Sequence, residues 1–356
     1  MSHPVRVLIV DDSSVVRQAL KNNLNTIPGI EVVGVAPDPF VARDKIMALK
    51  PDVITLDIEM PRMDGLTFLR KLMKFHPVRT IVVSSITQRG CDTAIACLEA
   101  GAFGVVAKPA VAYSVGDMAA EIGRIIKDAA KHPVPEKRPD LDASSGQKLI
   151  APPSLASVET THKVIAMGTS TGGTEALRSV LSVLPRQTPG IVMTQHMPEG
   201  FTATFAARLN EQCEIEVREA KDGDSVLTGL ALLAPGNKHM RLARDGARYI
   251  VRVTDGPRVC RHRPSVEVLF ESTAEHAGRN AMGIIMTGMG NDGAQGLKTL
   301  RDAGAYTVAQ DQDSCVVFGM PREAIELGGA VAVCPLSEIP NQIVDFAAGK
   351  LKANAA

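Results

Sequence analysis

The sequence predicts an α/β protein with two domains, each built on a doubly wound and mainly parallel sheet. Three observations support this fold class. The 356 residues are enough for two domains. Short apolar runs alternate with amphipathic helical patterns in both halves of the chain. Residues 128–160, rich in proline, small polar and charged residues, separate the halves and are predicted to be a flexible linker.

The bulk composition excludes several classes of protein. The chain has 39 basic and 39 acidic residues, and this balance argues against a nucleic-acid-binding protein. No apolar run approaches the roughly 18 residues of a membrane span, and no signal-peptide pattern is present, so we expect a cytoplasmic protein that is not membrane-embedded. The 6 cysteines form no C-x-x-C pair, which argues against disulfides and zinc. Nothing suggests more than a monomer.

The first domain, residues 1–127, alternates strand and helix patterns. The stretch Val15–Leu24, for example, has apolar residues at helical spacing. The predicted strands are Val5–Val10, Glu31–Ala36, Asp52–Asp57, Thr80–Ser85 and Phe103–Ala107. Five strands alternating with helices indicate a parallel sheet.

The same alternation resumes in the second domain, residues 161–350, and indicates another α/β fold. The predicted strands are Lys163–Gly168, Ile191–Gln195, Ala231–Ala234, Tyr249–Val253, Gly283–Thr287, Ala305–Gln310 and Ala330–Cys334.

Polar residues stand where four strands of the first domain end. Asp11, Asp12 and Asp57 would bring three carboxylates into one crevice, because the carboxyl ends of parallel strands face the same edge. Hard oxygen ligands suit a divalent ion such as Mg²⁺. Ser84 and Lys108 would reach the same crevice and fit a phosphoryl group. Strand-end aspartates also cap helices, and an isolated Asp-Asp pair would be read that way.

Together these residues resemble the response-regulator receiver family. The segments that carry the resemblance are Asp11-Asp12, Leu-Asp-Ile-Glu-Met-Pro-Arg-Met-Asp-Gly around Asp57, Ser84-Ser85 and Lys108-Pro109. The family has a flavodoxin-like fold of five βα units. The resemblance implies that a cognate histidine kinase donates the phosphoryl group.

The resemblance also assigns roles to individual residues. It implies Asp57 as the phosphorylated residue, with Ser84 and Lys108 in contact with the phosphoryl group. It implies Mg²⁺ ligands from Asp12, Asp57 and the carbonyl of Glu59, with Asp11 in the outer shell of the metal. One position departs from the family pattern. Val105 stands where the family usually has an aromatic switch residue, three positions before Lys108, and Phe103 lies two residues earlier.

A serine in the second domain lies in a context suited to a nucleophile. Ser170 falls in the loop of a strand–loop–helix pattern, next to Gly172 and Gly173. Glycines permit the sharp turn, and free amides at a helix start favour developing negative charge. Two alternatives remain for this segment. Ser170 could cap the following helix, or the Gly-rich turn could hold a phosphate or a dinucleotide. The segment lacks both nucleotide-binding patterns, G-x-G-x-x-G and Gly-Lys-Ser/Thr.

A base and an orienting acid follow two further strands. His196 follows one predicted strand, and Asp292 lies just beyond another, so both would share a rim with Ser170. The loop Gly288–Gly293 has amides that could form an oxyanion hole. We rank the other histidines below His196 as candidates for the base, because a histidine in a loop or a helix is more often structural or solvated than catalytic. They are His239, His262 and His276.

The second domain resembles the chemotaxis-specific protein-glutamate methylesterases, which are also glutamine deamidases. The segments that carry the resemblance are Gly-Thr-Ser-Thr-Gly-Gly-Thr-Glu, Gln-His-Met-Pro-Glu-Gly-Phe-Thr, Ala-Pro-Gly-Asn-Lys-His, Arg-Pro-Ser-Val-Glu-Val-Leu-Phe and Met-Thr-Gly-Met-Gly-Asn-Asp-Gly. The resemblance implies Ser170 as nucleophile, His196 as base and Asp292 as orienting acid. It places the amides of Met289 and Thr171 in the oxyanion hole.

The resemblance further implies a substrate and a form of control. The substrate would be the cytoplasmic domain of a methyl-accepting chemoreceptor, and the esterase reaction would need no cofactor. We expect phosphorylation of the first domain to activate the second. The rival hypothesis is a receiver-gated signalling module without enzymatic activity. A transcription factor is disfavoured because no basic helix-turn-helix pattern follows the linker.

Overall fold

The structure is a computed structural model that describes residues 3–108, 115–131 and 162–351. Contacts within the chain divide it into two compact units, residues 1–145 and 146–356. Most of the predicted linker, residues 132–160, lies outside the described residues. The domain bounds 1–127, 128–160 and 161–350 therefore stay predictions.

The first unit has a five-stranded parallel sheet in the order β2-β1-β3-β4-β5. Every predicted strand is present, with its bounds within one residue of the prediction. The strands are β1 Val5–Val10, β2 Ile30–Ala36, β3 Val53–Asp57, β4 Arg79–Ser84 and β5 Gly104–Ala107. The helices between and after them are α1 Ser14–Asn25, α2 Pro39–Leu49, α3 Gly65–Phe75, α4 Gln88–Glu99 and α5 Val115–Ala129.

The second unit has a seven-stranded parallel sheet in the order β14-β13-β12-β6-β7-β9-β8. Its strands are β6 Val164–Thr169, β7 Gly190–Gln195, β8 Glu216–Glu219, β9 Leu230–Leu233, β12 Ala281–Ile285, β13 Tyr306–Gln310 and β14 Ala332–Cys334. Its helices are α6 Gly173–Leu181, α7 Phe201–Asn210, α8 Val266–Ala277, α9 Ala294–Asp302, α10 Met320–Glu326 and α11 Ile339–Ala347. The predicted α/β class is confirmed for both units.

A two-stranded antiparallel hairpin stands outside this sheet, formed by β10 His239–Asp245 and β11 Arg248–Thr254. The sequence analysis predicted β11 but missed β10 and the short edge strand β8. β10 is only half buried, and its apolar residues face α8, where the amide of Leu242 donates to Ser272 Oγ. β8 has the sequence Glu-Val-Arg-Glu, which is too short and charged to give a strand pattern.

The strand orders create one crevice in each unit. The chain leaves β1 toward β2 on one side and β3 on the other. It leaves β6 toward β7 on one side and, later, toward β12 on the other. Ligands in open α/β sheets bind outside the carboxyl ends of strands at such reversal points. Among the described residues, no helix is both long and apolar enough to cross a membrane.

Each unit has its own buried core, and this predicts a local response to core mutation. Leu56 on β3 is fully buried, so Leu56→Ala should destabilise the first unit by about 2–5 kcal/mol. Hydrogen exchange followed by mass spectrometry should show faster exchange in β1, β3 and β4, with β6, β7 and β12 unaffected. Val15→Ala, at a side chain that is 71% exposed, is the control and should change neither unit. Equal acceleration in both units would contradict separate cores.

Candidate active site

Three carboxylates meet in the crevice of the first unit, as the sequence predicts. One carboxylate oxygen from each of Asp11, Asp12 and Asp57 lies within 4.8 Å of the others. Asp11 and Asp57 are buried, whereas Asp12 is exposed. They converge because Val10, just before Asp11, pairs with Leu56, just before Asp57.

Lys108 joins this cluster. Its Nζ lies 2.7 Å from Asp57 Oδ2 and 3.2 Å from Asp11 Oδ2. In the described part of the chain, this ammonium is the sole partner of those two buried oxygens. Burial raises the pKa of the Asp57 carboxyl to about 6, although the Lys108 ammonium opposes the rise. Burial also disfavours the charged form of Lys108. The contact with Asp57 outweighs this effect and raises the pKa of the Lys108 ammonium.

The other residues that the sequence predicts for this crevice lie around the carboxylate cluster, and their side chains are not shown to contact it. The Glu59 amide donates to Asp57 Oδ1 over 3.2 Å, so the loop after β3 folds back over the carboxylate. The Ser84 hydroxyl donates to the Gly90 carbonyl over 3.0 Å, rather than to the carboxylates. Val105 is half buried on β5, and Phe103 is buried before that strand begins. Phe103 therefore does not occupy the place of the missing aromatic residue.

Three carboxylates, with two buried oxygens that meet only the Lys108 ammonium among the described residues, make this crevice suitable for a divalent cation. Mg²⁺ prefers hard oxygen ligands and binds through one or two carboxylates while keeping several waters. Asp12 is exposed and could supply one ligand, and Asp57 could supply another. The residues present therefore fit the predicted Mg²⁺ site.

Ser170 lies in a tight turn at the end of β6. Its amide donates to the Thr287 carbonyl over 3.0 Å, and its carbonyl accepts from the Gly173 amide over 2.8 Å. Gly172 has φ +78°, and a Cβ there would lie 2.6 Å from Val316 Cβ. Only glycine fits this turn, because both the conformation and the space exclude a side chain. The turn leads directly into α6.

His196 directly follows β7, the strand next to β6, and so lies beside Ser170. The pairing of β6 with β7 ends at Thr169 and Gln195, and the His196 amide donates to the Thr169 carbonyl over 3.1 Å. Gln195 links the two candidate residues further. Its Nε2 donates to the Ser170 carbonyl over 2.9 Å and to the His196 carbonyl over 3.1 Å. The sequence analysis missed this buried glutamine, although it stands next to the predicted base.

Asp292 is buried and holds the His196 ring, with 2.7 Å between Oδ2 and Nε2. The carboxylate sits at the start of α8. It accepts the Ser265 hydroxyl over 2.7 Å and the amides of Val266 and Glu267 over 2.7 Å and 3.1 Å. Burial acts to raise the pKa of Asp292, but the contacts with His196, Ser265 and Val266 outweigh it and lower that pKa. These contacts thus favour the ionised form of the carboxylate that the histidine faces.

The ring nitrogen that Asp292 leaves open is Nδ1. Within the described residues, this buried atom has no hydrogen-bond partner. In serine proteases of the chymotrypsin type the aspartate binds Nδ1 and the serine faces Nε2. Here the aspartate binds Nε2, and Nδ1 forms no hydrogen bond with Ser170. The structure therefore presents His196 Nδ1 as the atom that could take a proton.

The loop Gly288–Gly293 packs directly against the serine. A Cβ at Gly288 would lie 2.8 Å from Ser170 Cβ and 3.0 Å from its amide nitrogen, so glycine is needed for this approach. The amides of Met289 and Thr171 donate to no acceptor in the described part of the chain. Two unpaired amides beside a serine are what an oxyanion hole requires.

A second histidine lies against His196. The rings of His196 and His262 are stacked, with centroids 3.7 Å apart and planes 5° from parallel. His262 ends a tight turn in which Cys260 and Arg261 have φ of 48° and 71°. Such left-handed conformations cost residues other than glycine about 1–3 kcal/mol each and often mark functional sites. The sequence analysis ranked His262 low, and only the flanking Arg-Pro-Ser segment lay within a recognised motif.

Known families match both units. The CheB methylesterase family model matches residues 165–343, and the response regulator receiver domain model matches residues 7–116. The catalytic domain of Thermotoga maritima CheB methylesterase, known from its crystal structure, superposes with a TM-score of 0.51 at 35% identity. That match covers 52% of this chain and 100% of the other.

Whole-chain relatives agree with this assignment. Protein-glutamate methylesterase/protein-glutamine glutaminase 4 of Anaeromyxobacter dehalogenans is 54% identical, over 96% of this chain and 95% of its own. Protein-glutamate methylesterase/protein-glutamine glutaminase 1 of Geobacter metallireducens is 52% identical, over 96% of each chain. The predicted resemblance is confirmed: the chain belongs to the CheB methylesterase family and carries a response-regulator receiver domain ahead of its catalytic domain.

Proposed function

We propose that this chain is a protein-glutamate methylesterase and protein-glutamine deamidase with Ser170, His196 and Asp292 as its catalytic triad. The observation that carries the proposal is the Asp292–His196 pair, whose open Nδ1 lies in the crevice with the serine-bearing turn and two unpaired amides. A serine hydroxyl is a weak nucleophile, and this arrangement supplies the base and charge stabilisation that it needs.

In the proposed reaction Ser170 Oγ attacks the γ-carbonyl of a glutamyl methyl ester. His196 Nδ1 takes the hydroxyl proton and passes it to the departing methoxide, so that methanol leaves and an acyl-enzyme remains. A water molecule, deprotonated by the same nitrogen, then cleaves the acyl-enzyme and releases glutamate. A glutamine side chain would follow the same path and release ammonia.

Charge is stabilised at two points during these steps. The amides of Thr171 and Met289 would receive the oxyanion of the tetrahedral intermediate. The imidazolium that forms on His196 is matched by Asp292, which stays ionised because Ser265 and the start of α8 hold its negative charge. No group in this scheme requires a cofactor.

The receiver domain would control the reaction through Asp57. A cognate histidine kinase would transfer a phosphoryl group to this carboxylate, and Lys108 already stands 2.7 Å from Oδ2 to balance the added charge. Ser84 would contact the phosphoryl group after releasing the Gly90 carbonyl. Asp12, Asp57 and the Glu59 carbonyl would hold Mg²⁺, with Asp11 in its outer shell. When bound, this ion would neutralise part of the phosphoryl charge.

The proposed domains are a receiver at 1–127, a linker at 128–160 and a catalytic domain at 161–350. The substrate would be the cytoplasmic part of a methyl-accepting chemoreceptor. Phosphorylation would raise esterase activity and so serve adaptation in chemotaxis. Val105 indicates that the receiver switches through contacts other than an aromatic side chain on β5.

Replacing the nucleophile gives the most direct test. Ser170→Ala should lower kcat by about 10⁴-fold or more, because the acyl-enzyme can no longer form. The measurement is methanol release from methyl-labelled chemoreceptor membranes. Ser182→Ala, at the carboxyl end of α6, makes the same change outside the crevice and should behave as the wild type. Undiminished release by Ser170→Ala would favour another nucleophile, and no release by the wild type would favour the non-enzymatic module.

Replacing Asp57, the proposed phosphoryl acceptor, tests whether phosphorylation controls the esterase. With a small phosphodonor and Mg²⁺, methanol release by the wild type should rise, whereas Asp57→Asn should show no rise because no acyl phosphate can form. Asp44→Asn changes an exposed carboxylate on α2 and should retain the stimulation. Equal stimulation of the Asp57 and Asp44 variants would reject Asp57 as the acceptor.

A further inference from the structure

A basic turn lies beside the candidate triad. We call residues 258–262 the arginine turn. The amide of Val259 donates to the His262 carbonyl over 3.0 Å, and the His262 amide donates to the Val259 carbonyl over 2.8 Å. Cys260 and Arg261, both with positive φ, form its tip. Glycine or asparagine would be favoured at such positions, so the surroundings impose this conformation.

A ring contact joins the turn to the crevice of the proposed triad. His262 stacks on His196 at 3.7 Å between ring centroids. His262 closes the turn, so Arg261 is next in sequence to the ring that stacks on His196, and the pairing of Val259 with His262 holds Arg258 at the start of the same turn.

The arginine turn carries two cations that pair with none of the described residues. Arg258 and Arg261 are exposed and make no hydrogen bond or ion pair to any residue that the structure describes. Two neighbouring cations already have partners, since Lys238 Nζ lies 2.7 Å from Asp255 and Arg263 donates to Asn237 and to the Gly256 carbonyl. Glu271, on the second turn of α8, is an exposed acid near Cys260, but among the described residues no ion pair joins it to Arg258 or Arg261.

The proposed reaction suggests what these cations recognise. Each hydrolysed ester or amide leaves a glutamate, so a substrate segment with several modified positions becomes acidic as the reaction proceeds. On a helix, carboxylates three or four residues from the reacting side chain lie about 5–6 Å from it along the same face. Arginine pairs with carboxylates through two parallel hydrogen bonds.

We propose that Arg258 and Arg261 form a docking surface for carboxylates that flank the reacting glutamyl side chain on the substrate protein. This inference rests on the proposed function and adds to it. Hydrolysis at one position would then promote hydrolysis at its neighbour, because the new carboxylate becomes part of the recognised surface.

The test compares two helical peptides with one glutamyl γ-methyl ester each, flanked at three and four residues by glutamates in one and by alanines in the other. We expect the wild type to favour the acidic peptide by about 10-fold in kcat/KM, through KM, with the preference falling at high salt. The double variant Arg258→Gln/Arg261→Gln should hydrolyse both peptides with similar kcat/KM. Arg248→Gln is the matched control, because it removes an exposed charge at the far end of the hairpin, and it should keep the preference.

The outcomes separate the two proposals. Absence of preference in the wild type, or preference retained in the double variant, would overturn the docking surface while the esterase stands. Hydrolysis of neither peptide by the wild type would contradict the proposed function, and the docking surface with it. A double variant that keeps the peptide preference but loses binding to anionic lipid vesicles would assign the arginines to a membrane surface instead.

Discussion

The carboxylate of Asp292 is the group on which the geometry of the candidate active site depends. A lone buried charge costs several kcal/mol, and here a hydroxyl, two amides at the start of α8 and the His196 ring replace the lost water. The support is mutual. Glu267, whose amide donates to Asp292, accepts the Gly293 amide with its own carboxylate over 3.1 Å. Asp292 and the beginnings of α8 and α9 are thereby held together. This fixes the position of the loop Gly288–Gly293, which packs against Ser170.

The two crevices use the same sheet geometry but treat their carboxylates in opposite ways. In the receiver unit, Asp57 Oδ2 meets only an ammonium among the residues that the structure describes, so it keeps a lone pair with which it could form a bond. In the catalytic unit, both oxygens of Asp292 are saturated by donors, so this carboxylate can orient and stabilise but has little capacity to react. The number of donors around each carboxylate thus distinguishes one that is open to a further ligand from one that is fully hydrogen-bonded.

The sequence predicted most of what depends on local pattern. Strand periodicity located the parallel strands, and the rule for strand ends brought Ser170, His196 and Asp292 to one edge. What it missed depends on contacts between distant residues. Gln195 donates to Ser170, 25 positions away, and Ser265 donates to Asp292, 27 positions away. β8 and the half-exposed β10 were missed because charge obscured their pattern. The choice of ring nitrogen follows from the three-dimensional position of α8 and has no counterpart in the sequence.

The orientation of the His196 ring has a consequence for how the base is held. Nδ1 is bonded directly to Cγ, the ring carbon that carries Cβ, so the open nitrogen lies nearer the main chain of His196 than Nε2 does. Asp292 holds Nε2 at the outer end of the ring, and His262 lies against the face of the ring. A half-turn of the ring about the Cβ–Cγ bond would break the contact with Asp292, so the open nitrogen keeps its position for as long as that pair is intact.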